Sequence, residues 1–175
     1  MEIKRIITEN FIEFSVPKNE HLIQSGETEN YLYYLEKGIC RYYLYNLKDD
    51  SEQTFDFAYS GDFFCSYESF RKRQPSKIYI QSLSVSKVYK IHYKSLLDLL
   101  SSDIKYYKIA LKIIDGFFIN KINREISLLK DSPETIYQNL IKREPYLILN
   151  VPLKHISSYI GITPQALSRI RNRIS

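Results

Sequence analysis

Three arginines and their polar neighbours near the carboxyl end are the residues of this chain best suited to bind a nucleic acid. Within QALSRIRNRIS, residues 165–175, the three arginines alternate with other residues at positions 169, 171 and 173. Gln165 and Ser168 precede them. A guanidinium group binds a phosphate or a guanine edge through two parallel hydrogen bonds, and a glutamine amide does the same with adenine. On one helix, these side chains could read duplex DNA, provided that neighbouring elements hold that helix in place.

A first helix is predicted directly before this segment. Leu153, Ile156 and Ile160 recur at a helical spacing and therefore share one face. Gly161 ends the pattern, as expected of a residue that readily adopts the left-handed backbone conformation at a helix end. Residues 152–161 are thus expected to form a short helix that a tight turn closes.

The arginine-bearing helix begins two residues after that glycine. Thr163 is suited to cap the helix, and Pro164 suits its first position. Ile162, Leu167 and Ile170 supply its apolar packing. Two short helices joined by a glycine turn, the second rich in arginine, are typical of a DNA-binding helix-turn-helix. The residues leave one alternative open, a helical hairpin with a solvated basic face.

Composition limits the other classes of function. The chain has 175 residues, 44% of them hydrophobic, enough for one medium domain or for a domain with a small appendage. No segment has the unbroken apolar length of a membrane span. The first residues lack the apolar region and cleavage site of a secretory signal. We therefore expect a cytoplasmic protein with no membrane partner.

Metal and nucleophilic chemistry have little support in the sequence. Cys40 and Cys65 lack the spacing of a cluster, and His21, His92 and His155 are scattered. No Ser/His/Asp arrangement, nucleotide-binding glycine loop or paired-acid motif occurs. The sequence predicts no catalytic residue and no metal site, so the chain is not expected to be an enzyme.

Positive charge is concentrated at the carboxyl end. Residues 1–102 carry 13 Lys and Arg against 14 Asp and Glu, and residues 103–131 carry 6 against 4. Residues 132–175 carry 6 against 2. Because the polyanionic backbone of DNA attracts cations, this asymmetry favours a DNA partner, although a surface adapted only for solubility could also be basic.

The first hundred residues have the pattern of an antiparallel β-domain. Short runs of aromatic and β-branched residues alternate with turn-forming residues at intervals of roughly 8–12 residues. The predicted strands cover residues 31–35, 39–44, 54–58, 78–83 and 86–91. Such spacing is typical of a sandwich or a barrel.

A long helix is predicted over residues 103–131. Two neighbouring apolar stripes run along it, and their members are Ile104, Tyr107, Leu111, Ile114 and Phe118 in one and Tyr106, Ile109, Ile113 and Phe117 in the other. A helix of that length would span about 43 Å, and so wide an apolar face needs two partners. We expect one stripe to pack within the chain and the other against a second copy, mainly over residues 103–120; the alternative is that both pack within one chain.

A further helix is predicted to support the carboxyl-terminal pair. Ser132 can cap a helix that begins at Pro133. Ile136, Tyr137 and Leu140 then recur at a helical spacing. The predicted domains are a β-domain over residues 1–102, a long dimerisation helix over 103–131 and a helix-turn-helix domain over 132–175.

Three glycine-containing turns in the β-domain carry a family resemblance. They are QSGE at residues 24–27, YYLEKG at 33–38 and SGDFF at 60–64. Together with the long helix and the motif IxxYIGITPQxLSRIR at 156–171, they resemble the Crp/Fnr family of bacterial transcription regulators. That last motif is especially similar to compact members of the Bacteroidetes-type branch. The resemblance implies an α+β fold, in which a cyclic-nucleotide-binding-like antiparallel β jelly roll precedes the long helix and a small helical helix-turn-helix domain.

The nucleotide site of that family does not carry over. In relatives that bind cyclic AMP, a Gly-Glu pair holds the ribose and an Arg-Ser/Thr-Ala step holds the cyclic phosphate. The corresponding residues here are Cys65-Ser66 and Ser76-Lys77-Ile78, so the carboxylate and the arginine are both missing. We therefore expect no cyclic AMP or cyclic GMP cofactor. If another small ligand binds, the candidate residues lining its pocket are Ser66, Tyr67, Lys77 and Tyr79.

The resemblance also assigns DNA contacts. By motif position, Pro164, Gln165 and Arg169 correspond to the principal base-reading residues of the family, although Pro164 replaces the usual polar residue. Ser168 is short enough for a phosphate or a base edge. Phosphate contacts are expected from Lys154, Thr163, Arg171 and Arg173.

The sequence therefore predicts a homodimeric transcription regulator that binds double-stranded DNA and is not controlled by cyclic AMP, with RNA polymerase as a further candidate partner. One alternative is a metal enzyme on a jelly roll, which would need clustered His and Glu ligands. The other is a sensor or protein-interaction module with a degenerate ligand pocket, in which the helix-turn-helix serves protein contacts.

Overall fold

The structure is a computed structural model that describes residues 2–174. It divides into two compact units. The first unit contains the described residues up to Glu52 together with Asp56–Ala110, and the second contains Gln53–Phe55 together with the described residues from Leu111 onward. This boundary falls within the long helix, whereas the sequence predicts boundaries at its two ends. The predicted three-part division stays a prediction.

The β-domain is built from two antiparallel sheets. The strands of the described chain are β1 (Ile12–Val16), β2 (His21–Ile23), β3 (Tyr31–Lys37), β4 (Ile39–Asn46), β5 (Ser51–Tyr59), β6 (Phe63–Phe64), β7 (Tyr79–Ser82) and β8 (Ser86–His92). One sheet has the strand order β1-β8-β3-β6 and the other β2-β7-β4-β5. The five strands predicted from aromatic and β-branched runs are present, each with both ends within three residues of the prediction. The predicted antiparallel β-domain is confirmed.

Of the helices in the described chain, α1 precedes the strands, α2 lies between β6 and β7, and the others follow β8. They are α1 (Glu2–Asn10), α2 (Tyr67–Lys72), α3 (Tyr93–Ser102), α4 (Ile104–Lys130), α5 (Pro133–Arg143), α6 (Pro145–Asn150), α7 (Leu153–Ile160) and α8 (Pro164–Ile174). The predicted long helix is α4, and the predicted α+β fold class is confirmed. None of the described helices is long and apolar enough to cross a membrane.

Side chains from both sheets form the core of the first unit. Leu35 of β3, Ile80 of β7 and Val88 of β8 are completely buried. They belong to one hydrophobic cluster with Tyr33 and Phe70. Burial of aromatic and branched aliphatic side chains is the main stabilising contribution of such a core, at roughly 1.5–3 kcal/mol for each fully buried side chain.

Gly38, between β3 and β4, occupies a position that a larger residue does not fit. Its φ is +124°, and a Cβ atom there would lie 2.1 Å from Ser86 Oγ and 3.0 Å from Ser86 Cα. We therefore expect Gly38→Ala to lower the free energy of unfolding by about 2–4 kcal/mol, measured by urea denaturation. Gly116 of α4 has no atom within 4 Å of such a Cβ, so Gly116→Ala is the control and should stabilise by about 0.5–1 kcal/mol. Equal stability of Gly38→Ala and the wild type would contradict this explanation.

The second unit has a core of its own, formed by the short helices. Ser132 caps α5 as predicted, because its Oγ accepts a hydrogen bond from the Thr135 amide at 3.1 Å. Most of the predicted apolar residues of the helix pair and of α5 are buried, and these are Ile136, Tyr137, Leu140, Ile156, Ile160, Leu167 and Ile170. Leu153 and Ile162, which were predicted with them, are half-buried. This packing determines which faces of α7 and α8 are left for solvent.

Candidate functional site

The turn between α7 and α8 has the geometry that the sequence predicts. Gly161 adopts φ +86°, and its amide donates to the carbonyl oxygens of Ser157 at 2.9 Å and Ser158 at 3.1 Å. The Ile162 amide donates to Ser157 O at 3.0 Å. These bonds form a Schellman turn, in which a left-handed residue satisfies the last carbonyl groups of a helix. The turn fixes the direction in which α8 leaves α7.

The start of α8 is capped by its own sequence. Thr163 Oγ1 accepts a hydrogen bond from the Ala166 amide at 3.2 Å, and Pro164 is the first helical residue. Leu167 is completely buried and Ile170 nearly so. Because those two residues hold one side of α8 against the unit, its opposite side faces solvent.

The residues predicted to bind DNA are all exposed, and they are Lys154, Thr163, Gln165, Ser168, Arg169, Arg171 and Arg173. All but Lys154 lie on α8 or its cap. Gln165, Ser168 and Arg169 stand at positions i, i+3 and i+4 and therefore share one face of the helix. Within the described chain, Arg169 makes no hydrogen bond or ion pair, which leaves its guanidinium group open to an external acceptor.

Arg173 differs from Arg169 because it already has a partner. Its Nη2 donates to Glu134 Oε2 of α5 in an ion pair. An external phosphate would have to compete with this carboxylate. The pair joins residues that are far apart in sequence, so no local pattern could have predicted it.

Arg124 was not predicted as a functional residue, and it connects α4 to α7. Its guanidinium carbon lies 3.8 Å from the centroid of the Tyr159 ring, and its Nη2 donates to the carbonyl oxygen of Tyr159. The last carbonyl groups of a helix have no partner within the helix and carry partial negative charge. Arg124 therefore stabilises the end of α7, immediately before the turn into α8. A single arginine in the apolar pattern of α4 was the only signal for it.

We expect Arg124→Ala to lower the stability of the second unit by about 1–3 kcal/mol, because both the cation–π contact and the hydrogen bond are lost. Amide hydrogen exchange of α7 measures this effect. Arg143→Ala is the matched control, because Arg143 is exposed and forms only a long ion pair, 3.9 Å between its Nε and Glu144 Oε1. Exposed pairs of that kind contribute less than about 1 kcal/mol. Equal exchange rates in the two variants would contradict a role for Arg124.

Ser66 and Ser76, at the positions that the family resemblance relates to nucleotide-binding residues, form a hydrogen bond with each other. Ser66 and Ser76 are both buried, and their hydroxyl oxygens are 2.8 Å apart in a hydrogen bond. Ser76 Oγ is also 2.8 Å from the carbonyl oxygen of Ile78, to which it can donate. The hydroxyl groups of Ser66 and Ser76 thus bind each other and a backbone carbonyl oxygen of the protein.

Glu29 is a buried carboxylate that the sequence did not reveal. It lies in the loop between β2 and β3, and its side chain contacts the residue that precedes α2. Glu29 is 1% exposed. Its Oε1 accepts from the Tyr31 amide at 3.1 Å, and its Oε2 accepts from the Ser66 amide at 3.4 Å. Burial raises the pKa of Glu29 to about 7, although these amides and the Tyr33 hydroxyl lower it. The amide preceding α2 therefore already has an acidic partner.

The backbone of Glu29 is fixed as well. Its amide donates to Ser69 Oγ at 2.9 Å, and Arg73 Nη1 donates to its carbonyl oxygen at 2.6 Å. Arg73 closes α2 with φ +55° and places its guanidinium carbon 4.6 Å from the centroid of the Tyr93 ring. These contacts hold α2 in place with groups of the protein itself.

The four residues predicted to line a ligand pocket differ in exposure and in their contacts. Ser66 is buried, whereas Tyr67 is exposed. Lys77 forms an exposed ion pair with Glu68 at 3.0 Å. Tyr79 stacks on Tyr43, with ring centroids 4.8 Å apart. A role for them in ligand binding stays a prediction.

The histidine, cysteine and acidic side chains do not form a metal site within residues 2–174, because no group of three or more is arranged to hold an ion. Cys40 and Cys65 are buried, free thiols. Burial raises the pKa of Cys40 to about 12, so this thiol stays protonated at neutral pH.

Comparison with known proteins agrees with the fold. The sequence profile of the cyclic nucleotide-binding domain matches residues 13–103, which is 91 of the 175 residues. No curated protein matches the sequence.

Solved structures of Crp/Fnr-family regulators resemble the chain over nearly its whole length. FixK2 from Bradyrhizobium japonicum is 20% identical with a TM-score of 0.78, and the match covers 94% of this chain and 84% of FixK2. The c-di-GMP-responsive global regulator CLP from Xanthomonas campestris is 15% identical with a TM-score of 0.75, covering 98% and 89%. A CooA mutant from Carboxydothermus hydrogenoformans is 17% identical with a TM-score of 0.72, covering 97% and 78%.

At these identities the structures establish a shared fold, while the profile match establishes descent for the β-domain. The strand order of the two sheets agrees with this match over residues 13–103, and the chain belongs to the cyclic nucleotide-binding domain family.

Proposed function

We propose that the chain is a homodimeric, sequence-specific DNA-binding transcription regulator of the compact Crp/Fnr type, and that cyclic AMP does not control it. The observation that carries the proposal is the exposed polar face of α8, directly after the capped turn. A fold shared with a global regulator and other transcription regulators supports the same function. Such a regulator would act in the cytoplasm and could contact RNA polymerase.

The base contacts are assigned to the first turns of α8. Gln165 and Arg169 share its exposed face, and their side chains match adenine and guanine respectively. Ser168 lies between them. Thr163, Arg171 and Lys154 are proposed to contact phosphates, since such contacts position the helix without specifying sequence. Arg173 is a weaker phosphate ligand in this assignment because Glu134 already binds it.

A second copy of the chain is the partner proposed for α4. None of the 27 residues of this helix is buried in the single chain. The first predicted stripe is exposed throughout. Of the second stripe, Tyr106, Ile109 and Ile113 are half-buried and Phe117 is exposed. The exposed apolar row also continues beyond residue 120, through Ile122, Ile126 and Leu129. Burying this row against another α4 would remove a large apolar surface from water.

Independence from cyclic AMP is proposed from the β-domain. The bond between Ser66 and Ser76 provides neither a carboxylate for a ribose nor an arginine for a cyclic phosphate. In addition, the Ser66 amide already donates a hydrogen bond to the Glu29 carboxyl group, so a cyclic phosphate would have to displace that bond. Isothermal titration with cyclic AMP should detect no binding in the micromolar range.

A second candidate is a module that binds another protein through the second unit. Tyr146 and Leu149 of α6 are apolar and exposed, Leu149 by 83%. DNA binding through α8 does not use them. This function would retain dimerisation and lack any sequence-specific binding to DNA.

Selection from a random double-stranded DNA library separates the two candidates. The wild type should enrich a palindrome with half-sites about one helical turn apart. Arg169→Ala should weaken each half-site by about 1–3 kcal/mol and lose the preference at one base position. Arg143→Ala removes the same charge from α5 and is the matched control, because the enriched motif should not change. An unaltered motif in Arg169→Ala, or salt-sensitive retention without any motif, would sink the proposal.

A further inference from the structure

A cavity of about 550 Å³ opens in the first unit beside the start of β3 and the end of β8. Its volume is within the range of about 300–1,000 Å³ that is usual for small-molecule sites. The residues lining it are Phe14, Ser15, Val16, Glu20, His21, Leu22, Ile23, Glu27, Thr28, Glu29, Asn30, Tyr31, Tyr33 and Lys90. Neither Ser66 nor Ser76 is among them, so the cavity differs from the degenerate nucleotide positions.

Lys90 contributes a cation to the wall of this cavity. It lies on β8 two residues after the completely buried Val88, so both side chains leave the strand on its core-facing side. Its Nζ is 4.8 Å from the centroid of the Phe14 ring and 4.7 Å from that of Tyr31. Contacts with two aromatic faces hold the ammonium group in position.

The ammonium group of Lys90 has no acidic partner among the residues that the structure describes. Lys87, on the same strand, differs because it pairs with Glu13 at 3.1 Å and Glu36 at 2.8 Å. An ammonium group has three hydrogen atoms to donate. A carboxylate oxygen accepts such a hydrogen bond, whereas an aromatic face attracts the charge without offering a lone pair. Lys90 therefore has unused donors at the cavity.

Two of the acidic groups in the cavity lining are already bound to backbone amides. Glu29 accepts from Tyr31 and Ser66 as described above, and Glu27 Oε2 accepts from the Gln24 amide at 2.8 Å. The third, Glu20, is exposed. Lys90 is thus the only lysine or arginine among the described residues of this lining, and it supplies hydrogen-bond donors that an anion can use.

We propose that this cavity binds a small organic carboxylate that carries a flat apolar body. The carboxylate accepts hydrogen bonds from Lys90 Nζ, and the body packs against the rings of Phe14, Tyr31 and Tyr33. A charge-assisted hydrogen bond supplies specificity for the anion, and the aromatic wall selects the apolar body. This inference concerns the first unit and does not depend on DNA binding by α8.

The test uses phenylacetate and its neutral analogue 2-phenylacetamide with the full chain, titrated calorimetrically. Phenylacetate should bind saturably with one site per chain, and 2-phenylacetamide should bind at least about tenfold more weakly. The amide keeps the ring and removes the charge, so this comparison isolates the contribution of the carboxylate. No saturable binding of phenylacetate up to about 10 mM, or equal binding of the two probes, overturns the proposal.

Three variants locate the site. Lys90→Met removes the ammonium group and should lower the affinity for phenylacetate at least about tenfold, whereas Lys90→Arg keeps the charge and should stay within about threefold. Lys37→Met is the matched control, because Lys37 is exposed on β3 and does not line the cavity. Unchanged affinity in a folded Lys90→Met overturns the site. If that variant fails to fold, Phe14→Leu should weaken binding, and unchanged affinity there overturns the site instead.

Discussion

Replacing both Ile114 and Phe118 with glutamate is expected to leave the protein monomeric. Both residues belong to the exposed apolar row of α4, and Phe118 is 64% exposed in the single chain. In the proposed dimer, each copy would bring two carboxylates into an apolar contact. Burying such groups without partners costs about 4 kcal/mol or more, so the dissociation constant should rise at least about a thousandfold. Sedimentation equilibrium measures the change directly.

Leu47→Glu with Leu149→Glu is the matched control for that double variant. These two leucines are the same kind of exposed apolar residue, at 89% and 83%, but they lie outside α4. The control should remain dimeric and should select the same palindrome as the wild type. A monomeric wild type at micromolar concentration, or equal loss of dimer in both double variants, would remove the support for pairing through α4.

Glu29→Gln is expected to remove a pH-dependent contribution of about 3 kcal/mol to the free energy of unfolding. The pKa of Glu29 is raised from 4.5 to about 7 in the folded protein, mainly by burial, and each pKa unit corresponds to about 1.36 kcal/mol. The folded state therefore holds this proton at a pH where the unfolded chain has released it. Its stabilising contribution is complete below pH 4.5 and is lost as the pH rises through about 7.

Urea unfolding of the wild type and Glu29→Gln between pH 4 and 8 isolates this contribution. The variant cannot titrate at residue 29, so the free energy of unfolding of the wild type should fall relative to it as the pH rises. Glu13 gives a control of opposite sign, because hydrogen bonds from Tyr89 and Lys87 lower its pKa. The wild type should gain stability relative to Glu13→Gln as the pH rises. Parallel curves for the wild type and Glu29→Gln would show that Glu29 titrates normally.

The elements that the sequence predicted well are those with a local signature. The strands β3, β4, β5, β7 and β8 carry runs of aromatic and β-branched residues, and turn residues bound them. The cap at Ser132, the left-handed Gly161 and the cap at Thr163 depend on residues only a few positions apart. Each was therefore readable from a short window, and each is present in the structure.

The elements that were missed include the strands β1, β2 and β6 and the helices α1, α2 and α6. The missed helices depend on distant residues for their stability. Helices α1, α2 and α6 have nine, six and six residues. Helices this short are unstable alone, and packing holds them, as the burial of Ile7, Phe70 and Leu147 indicates. In α1, Ile3, Ile6 and Ile7 do recur at a helical spacing, but a run of nine residues is too short to identify a helix without its packing.

The same reason explains the functional residues that sequence reasoning did not find. Glu29 meets Ser66, which is 37 positions away, and Arg124 meets Tyr159, which is 35 positions away. Nothing in the sequence around Glu29 marks it as buried. A charged residue in a loop is ordinarily solvated, so only the three-dimensional structure identifies this one.

The contact between Arg124 and Tyr159 has a consequence for how the protein could diverge. Arg124 lies six positions after Phe118, about 9 Å along the axis of α4. A helix segment of that length is stiff, so in the proposed dimer a small rotation at Phe118 would move Arg124 and the end of α7 with it. The gap between two half-sites and the bases within each half-site would then be encoded by different side chains. Mutations in α4 could then change the spacing between the two half-sites of an operator without changing the base sequence of either half-site.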